Sequence, residues 1–302
     1  MIVDGDRSVF AALRARREQL SQGNDDGTIR PLLFFGGGLM KGVYGVGAAL
    51  ALEELGYGAV FTDVVGVSSG APTAAHFVAG TTVAGKSILT NECCTRRFAN
   101  PWRWWNQIDT EYFMSLMRRE PPQGIDTQAI LASQTRLHFG VSEYPTGKPH
   151  LITVQDDETL FAGMHASLTM QNVARHRTYI DGVHYADGGF TKPHILQTVI
   201  DRFTEATHII FVTNNDRVFG SISWFERMLN RTLFRLRLNG PQVIAINGRR
   251  EERDKALLSL WSSGIASAVV WGDGSVGSVE RNPERLAAAV ESSRIWWHGI
   301  LS

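Results

Sequence analysis

Gly66-Val67-Ser68-Ser69-Gly70 follows an apolar, strand-like run, Val60-Phe61-Thr62-Asp63-Val64-Val65, and leads into a helix-like stretch. A serine at such a junction sits on a sharp strand-to-helix turn and is pushed out of the sheet. The flanking glycines remove Cβ clashes that the turn would otherwise create. A turn of this kind needs a strand inside a sheet and a helix laid back over it, so it constrains the fold before it says anything about chemistry.

Strand and helix patterns alternate along the rest of the chain. Strands are expected at 31–36, 60–66, 136–142, 150–154, 178–187, 207–213 and 266–271. Helices are expected at 41–55, 70–80, 126–133, 160–170, 194–204, 221–237, 244–263 and 283–297. This alternation argues for a sheet covered on both faces by helices. Residues 81–135 break the rhythm and read as a helical insertion over the site, and Asn214 to Gly220 marks the start of a C-terminal helical region whose final strand rejoins the sheet. The N-terminus, Met1 to Gln22, is charged and helix-like. At 302 residues and 43% hydrophobic, the chain can bury a full core as one domain.

Upstream of Ser68, Leu32-Leu33-Phe34-Phe35 reads as a buried strand, followed by Gly36-Gly37-Gly38-Leu39-Met40-Lys41-Gly42 and a helix. A glycine loop between strand and helix offers unpaired N–H groups at the positive end of the helix dipole, a cradle for an anion. A P-loop would need Lys then Ser or Thr after its last Gly, but Val43 follows Gly42, and no G-x-G-x-x-G frame fits. The oxyanion of acyl transfer is the better match. Downstream, Asp181-Gly182 reads as a hairpin turn that places Asp187, in Tyr185-Ala186-Asp187-Gly188-Gly189, at the end of the returning strand. None of the nine histidines lies in a motif-like setting, so none is assigned a role.

Glycine loop, G-x-S-x-G and D-G-G, in that order, resemble the bacterial patatin-like phospholipases. The likeness extends through Lys41-Gly42-x-Tyr44-x-x-Gly47, Ala51 to Gly56, His165 to Gly189, Thr207 to Thr213 and the tail Val279 to Leu286. It implies a three-layer α/β/α sandwich with a mostly parallel central sheet, spanning 1–302 as a single domain with the insertion near 81–135 and a helical extension near 221–302. It also implies a lipid acyl hydrolase with a Ser–Asp dyad and no histidine. Ser68 would be the nucleophile and Asp187 the base, with Gly36, Gly37, Gly38, Leu39 and Lys41 forming the oxyanion hole. A carboxylate is a weak base for serine, and burial is what raises its basicity. The family usually has Gly where Leu39 stands. A left-handed backbone there costs a non-glycine residue about 1 kcal/mol, so the loop is expected to differ or its register to shift by one. Lys192 and Ile195 also depart from the family's pattern.

Two alternatives compete. An α/β-hydrolase esterase would add a histidine, His194, His208 or His298, to make a triad. A non-enzymatic lipid- or acyl-binding protein would be a former hydrolase whose oxyanion loop Leu39 has spoiled.

Thirty basic and thirty acidic residues cancel, which argues against nucleic acid as a partner. The only cysteines, Cys93 and Cys94, are adjacent and form no disulfide framework, which fits a reducing, cytoplasmic setting. No signal peptide or membrane-spanning run is read from the sequence. No cofactor and no metal are implied, and Asp156-Asp157 reads as a solvated turn. The expected partner is a lipid or other acyl ester. Two stretches suit peripheral membrane contact. One holds Trp102, Trp104, Trp105, Tyr112 and Phe113 beside Arg96, Arg97 and Arg103; the other is the stripe Trp224, Phe225, Met228, Leu229, Leu233 and Leu236.

Overall fold

Pro31–Phe35, the first apolar run expected to be a strand, is buried on both faces, as a strand inside an α/β sheet must be. The computed structural model describes residues 1–100, 102–103, 106–170, 174–217 and 246–302. Trp104, Trp105 and the stripe within 221–237 lie outside the described residues.

Among the described residues, nine strands form one sheet: β1 (Ile2–Gly5), β2 (Pro31–Phe35), β3 (Asp63–Val67), β4 (Arg136–Glu143), β5 (Pro149–Thr153), β6 (Thr178–Ile180), β7 (Val183–Asp187), β8 (His208–Asp216) and β9 (Ala266–Gly272). Their order is β1-β9-β8-β2-β3-β4-β7-β6, with β5 also on β4. The five central strands, β9-β8-β2-β3-β4, are parallel, and β1, β5, β6 and β7 pair antiparallel. The described helices are α1 (Ser8–Ser21), α2 (Val43–Glu54), α3 (Gly70–Ala79), α4 (Thr82–Thr90), α5 (Thr110–Met117), α6 (Thr127–Ala132), α7 (Asp157–Leu168), α8 (Ile195–Arg202), α9 (Ile246–Ser262) and α10 (Pro283–Leu301).

The pleat sorts side chains to two cores. Leu33, Phe35, Ile210, Val212, Ala268 and Val270 pack with residues of α1, α2, α3 and α10. Their strand neighbours Leu32, Phe34, Ile209, Phe211 and Val269 pack with residues of α8 and α9. Two helical layers on a mostly parallel sheet make the three-layer α/β/α sandwich that the sequence led us to expect.

Residues 81–135, where a helical insertion was expected, carry α4, α5 and α6. The 178–187 segment is a hairpin whose turn, Asp181-Gly182, has φ of 50° and 76°, the primed geometry that a two-residue loop favours. The N-terminus departs from expectation. Ile2–Gly5 is a strand ahead of α1, because β9 presents an open edge for it to pair with, Ile2 facing Trp271 and Gly5 facing Ala268. Asp156 is exposed, as expected, and has a structural role besides. It is the N-cap of α7, accepting from the Thr159 N–H at 2.8 Å while Thr159 Oγ1 accepts from the Asp156 N–H at 3.0 Å. Among the described residues, no helix is long and apolar enough to cross a membrane.

Candidate active site

β3 ends at Val67, and Ser68 is the first residue out of the sheet. Its φ is +53°, the left-handed region, and it is 9% exposed. The strain of the elbow therefore sits on the serine and not on its glycines. Gly70 serves a different purpose: a Cβ there would lie 2.2 Å from the Phe35 carbonyl oxygen, so only glycine lets α3 start this close to β2.

The registers show how Asp187 reaches the same place. β5 pairs with His138–Ser142 along one edge of β4. Along the opposite edge, β3 takes Arg136–Gly140 and β7 takes Val141–Glu143. β3 is parallel to β4 and β7 is antiparallel, so the two strands run toward each other and stop head-on. Val67 is opposite Gly140, and Asp187 is opposite the next residue, Val141. The two strand ends therefore face consecutive residues of β4. Ser68 has to leave the sheet at this point because β7 occupies the continuation of its edge.

Asp187 is 2% exposed and held at three points. Its N–H donates to the Thr169 carbonyl at 3.0 Å, its carbonyl accepts from Ser142 Oγ at 3.0 Å, and its Oδ1 accepts from the Gly189 N–H at 2.7 Å. Thr169 lies just past the end of α7, and Ser167, in the last turn of that helix, reaches the elbow. The Ser68 N–H donates to Ser167 Oγ at 3.0 Å, and Ser167 donates in turn to the Gly140 carbonyl at 2.8 Å.

The glycine loop lies against the elbow from the other side. A Cβ on Gly37 would stand 2.8 Å from Ser68 Cβ and 3.3 Å from its Oγ, so the loop's backbone runs directly beside the hydroxyl. Among the described residues, the Gly37 and Gly38 amides donate to no acceptor. Gly36 does not share that freedom: its N–H continues the ladder to the Val212 carbonyl at 2.8 Å, which removes it from the expected set of oxyanion donors. Leu39 itself adopts a left-handed backbone, with φ +53°. Neighbouring bonds hold it there, Met40 N–H to the Ser278 carbonyl at 3.3 Å and Lys41 N–H to the Gly38 carbonyl at 3.2 Å.

Asn214, expected to open the break before a C-terminal helical region, lies instead within β8. It is fully buried in an irregularity of β8 with φ +25°. Its Nδ2 donates to the Gly36 carbonyl at 2.6 Å, and its Oδ1 accepts from the Gly45 N–H in the first turn of α2 at 2.8 Å. One side-chain amide thus ties the entry of the glycine loop to the helix at its exit. The signal available in the sequence was the Asn214-Asn215 pair closing an apolar strand, since asparagine tolerates positive φ better than most residues.

Two of the three histidines of the triad alternative, His208 and His298, stand away from Ser68. His208 opens β8 opposite Pro31, at the far end of the parallel strands from Ser68. His298 bonds Glu54 at 2.6 Å at the end of α2, and His194 Nδ1 accepts from the Leu196 N–H to cap α8. His76, in α3, is buried and neutral in character: desolvation lowers its pKa to about 4, and its Nδ1 meets Thr81 Oγ1 at 2.8 Å. His165, in α7, is lowered to about 3, first by burial and then by His176 and Arg118. Its ring stacks on His176 at 3.8 Å, and its Nε2 meets Thr110 Oγ1 at the start of α5 at 3.0 Å.

The family model for patatin-like phospholipase matches residues 33–200, which contain the glycine loop, the elbow and Asp187. A search of curated proteins finds no match. Among solved structures, the chain is similar to VipD from Legionella pneumophila, with a TM-score of 0.53 and 14% identity over 90% of this chain and 66% of that one. It thus spans just under two thirds of that protein's length, and at this identity the likeness is one of fold. The type III effector protein ExoU aligns with a TM-score of 0.38 and 13% identity over 90% of this chain and 53% of that one.

Proposed function

The chain belongs to the patatin-like phospholipase family and is an enzyme of that class; on that premise we propose that it is a serine lipid acyl hydrolase acting through a Ser68–Asp187 dyad. The observation that carries this reading is the head-on meeting of β3 and β7 at Gly140 and Val141, with the Gly37 backbone beside the serine hydroxyl.

Ser68 Oγ attacks the ester carbonyl carbon as Asp187 takes its proton. The carbonyl oxygen becomes an oxyanion facing the Gly37 and Gly38 amides, with Leu39 and Lys41 shaping the far side of the loop. The intermediate collapses, the bond to the alcohol breaks, and the protonated Asp187 returns its proton to the leaving oxygen. Water then attacks acyl-Ser68 and gives a proton to Asp187. Release of the fatty acid breaks the Ser68–acyl bond, and Ser68 recovers the proton.

The substrate is a lipid carrying an acyl ester. In the same reading, 1–302 is one catalytic domain, and its insertion meets the lipid surface through Trp102. Tyr112 and Phe113 pack inward, whereas Trp102 is 85% exposed. Hydrolysis of a panel of phospholipids and simple esters tests the dyad. Ser68→Ala and Asp187→Asn should each lower turnover by on the order of 10⁴-fold or more while the protein melts within a few degrees of wild type. Full turnover in either variant ends the assignment.

A further inference from the structure

We propose that Ser167 is a positioning residue for the nucleophile, its hydroxyl acting as a spacer that holds Ser68 off the sheet; this rests on the dyad reading above. In an uninterrupted parallel ladder, an N–H at the end of β3 would donate directly to a β4 carbonyl. Here a hydroxyl is inserted between them, the Ser68 N–H reaching Ser167 Oγ at 3.0 Å and Ser167 reaching the Gly140 carbonyl at 2.8 Å. Two bonds in series replace one, so the chain at Ser68 is lifted away from β4 by the width of an oxygen atom.

The local conformation matches that displacement. Ser68 is a non-glycine residue at φ +53°, a conformation that persists only where its surroundings enforce it. Ser167 is fully buried, and its hydroxyl both accepts and donates. A serine within a helix ordinarily returns its hydroxyl to the carbonyl four residues earlier. Ser167 instead bonds across to the sheet, at the one peptide where β3 and β7 converge. The same end of α7 also fixes the partner carboxylate's backbone, through the Asp187 N–H and the Thr169 carbonyl at 3.0 Å. The close of α7 thereby sets both halves of the dyad against each other.

Without the Ser167 hydroxyl, the Ser68 N–H and the Gly140 carbonyl are free to pair directly. The elbow flattens, and Oγ turns from its line to Asp187 and to the Gly37 amide. The experiment is the rate at which a fluorophosphonate probe labels Ser68 in the full-length protein, read by peptide mass, with melting temperature recorded for each variant and Ser68→Ala as the blank. Ser167→Ala should label about 10–100-fold more slowly than wild type with little change in melting temperature. Ser167→Thr, which keeps the hydroxyl, should label within about threefold of wild type, and Ser167→Cys, a weaker hydrogen-bonding group of similar size, should fall between. Wild-type labelling rates in Ser167→Ala overturn the proposal. So does a slowing that follows only the loss of folded protein across the Ala, Cys and Thr series. A wild-type protein that the probe does not label at Ser68 sinks the dyad reading itself, a result distinct from either.

Discussion

β3 carries a carboxylate at its start and the candidate nucleophile just past its end, and its two ends are built on opposite principles. Asp63 is 2% exposed and fully partnered: Arg136 donates to it from Nε and from a terminal guanidinium nitrogen, each at 2.8 Å, and His138 Nε2 meets Oδ1 at 2.9 Å. Burial opposes its ionisation, but the bonds from His138 and Arg136 outweigh that and hold its pKa below the usual value. At the other end, Ser68 is in a strained conformation beside amides left without acceptors, with β7 blocking its path. One end satisfies its polar groups and stabilises the fold. The other keeps donors free and a backbone strained, which is what an acyl-transfer site requires.

If that contrast is right, substitutions at the two ends should separate activity from stability. The largest expected effect is at the reactive end. Gly37→Ala puts a methyl 2.8 Å from Ser68 Cβ, so the loop must back away from the hydroxyl. Turnover should fall by on the order of 10²–10³-fold with the melting temperature nearly unchanged; an undiminished kcat would remove the loop from the chemistry.

Acid stability comes next, because it distinguishes the helix behind the elbow from the Asp63 network. His76 has its folded pKa depressed to about 4 against an unfolded value near 6.5. Between those values the unfolded chain binds the extra proton, so stability is complete above pH ~6.5 and is lost as pH falls toward 4, by about 3 kcal/mol in all. Urea midpoints measured from pH 7 to 4 should show this slope added to that of His165, and His76→Gln should make it shallower. Asp63 shares the direction but not the window: its contribution persists until the pH falls through its lowered pKa, below the ordinary carboxylate range. A slope left at its full value in His76→Gln and lost in Asp63→Asn would reverse the comparison.

Asp63→Ala should cost about 2 kcal/mol of stability, since it strands the buried His138 and frees an Arg136 that is already half exposed. Activity per folded molecule should stay within about threefold of wild type. A collapse in kcat at full folding would mean that the two ends of β3 are coupled. The smallest effect is expected at Leu39, where glycine removes the cost of φ +53°. Leu39→Gly should gain up to about 1 kcal/mol in chemical denaturation and leave turnover intact.

Much of this site was legible because its signals are local. The glycine loop, the elbow and the Asp187 hairpin are each contained in a few consecutive residues, and their turn chemistry follows from Gly and Asp placement alone. The supports were not legible. Ser167 lies 99 residues from Ser68, and Asn214 lies 178 from Gly36. Nothing in His165-Ala166-Ser167-Leu168 marks a serine that leaves its own helix to reach the sheet. β1 escaped for a similar reason: two apolar residues, Ile2 and Val3, are too few to signal a strand, and it is the open edge of β9 that makes them one.

The sequence by itself determined the alternation of strands and helices, the sharp turn at Ser68 and a flexible cradle ahead of α2, because each depends on the preferences of neighbouring residues. Only the tertiary structure decided that Gly36 is a ladder residue and not a donor, that Leu39 bears a left-handed backbone, and that β3 and β7 collide on one edge of β4. Those outcomes depend on which strands share an edge and in what register, and register is set by packing across the whole sheet.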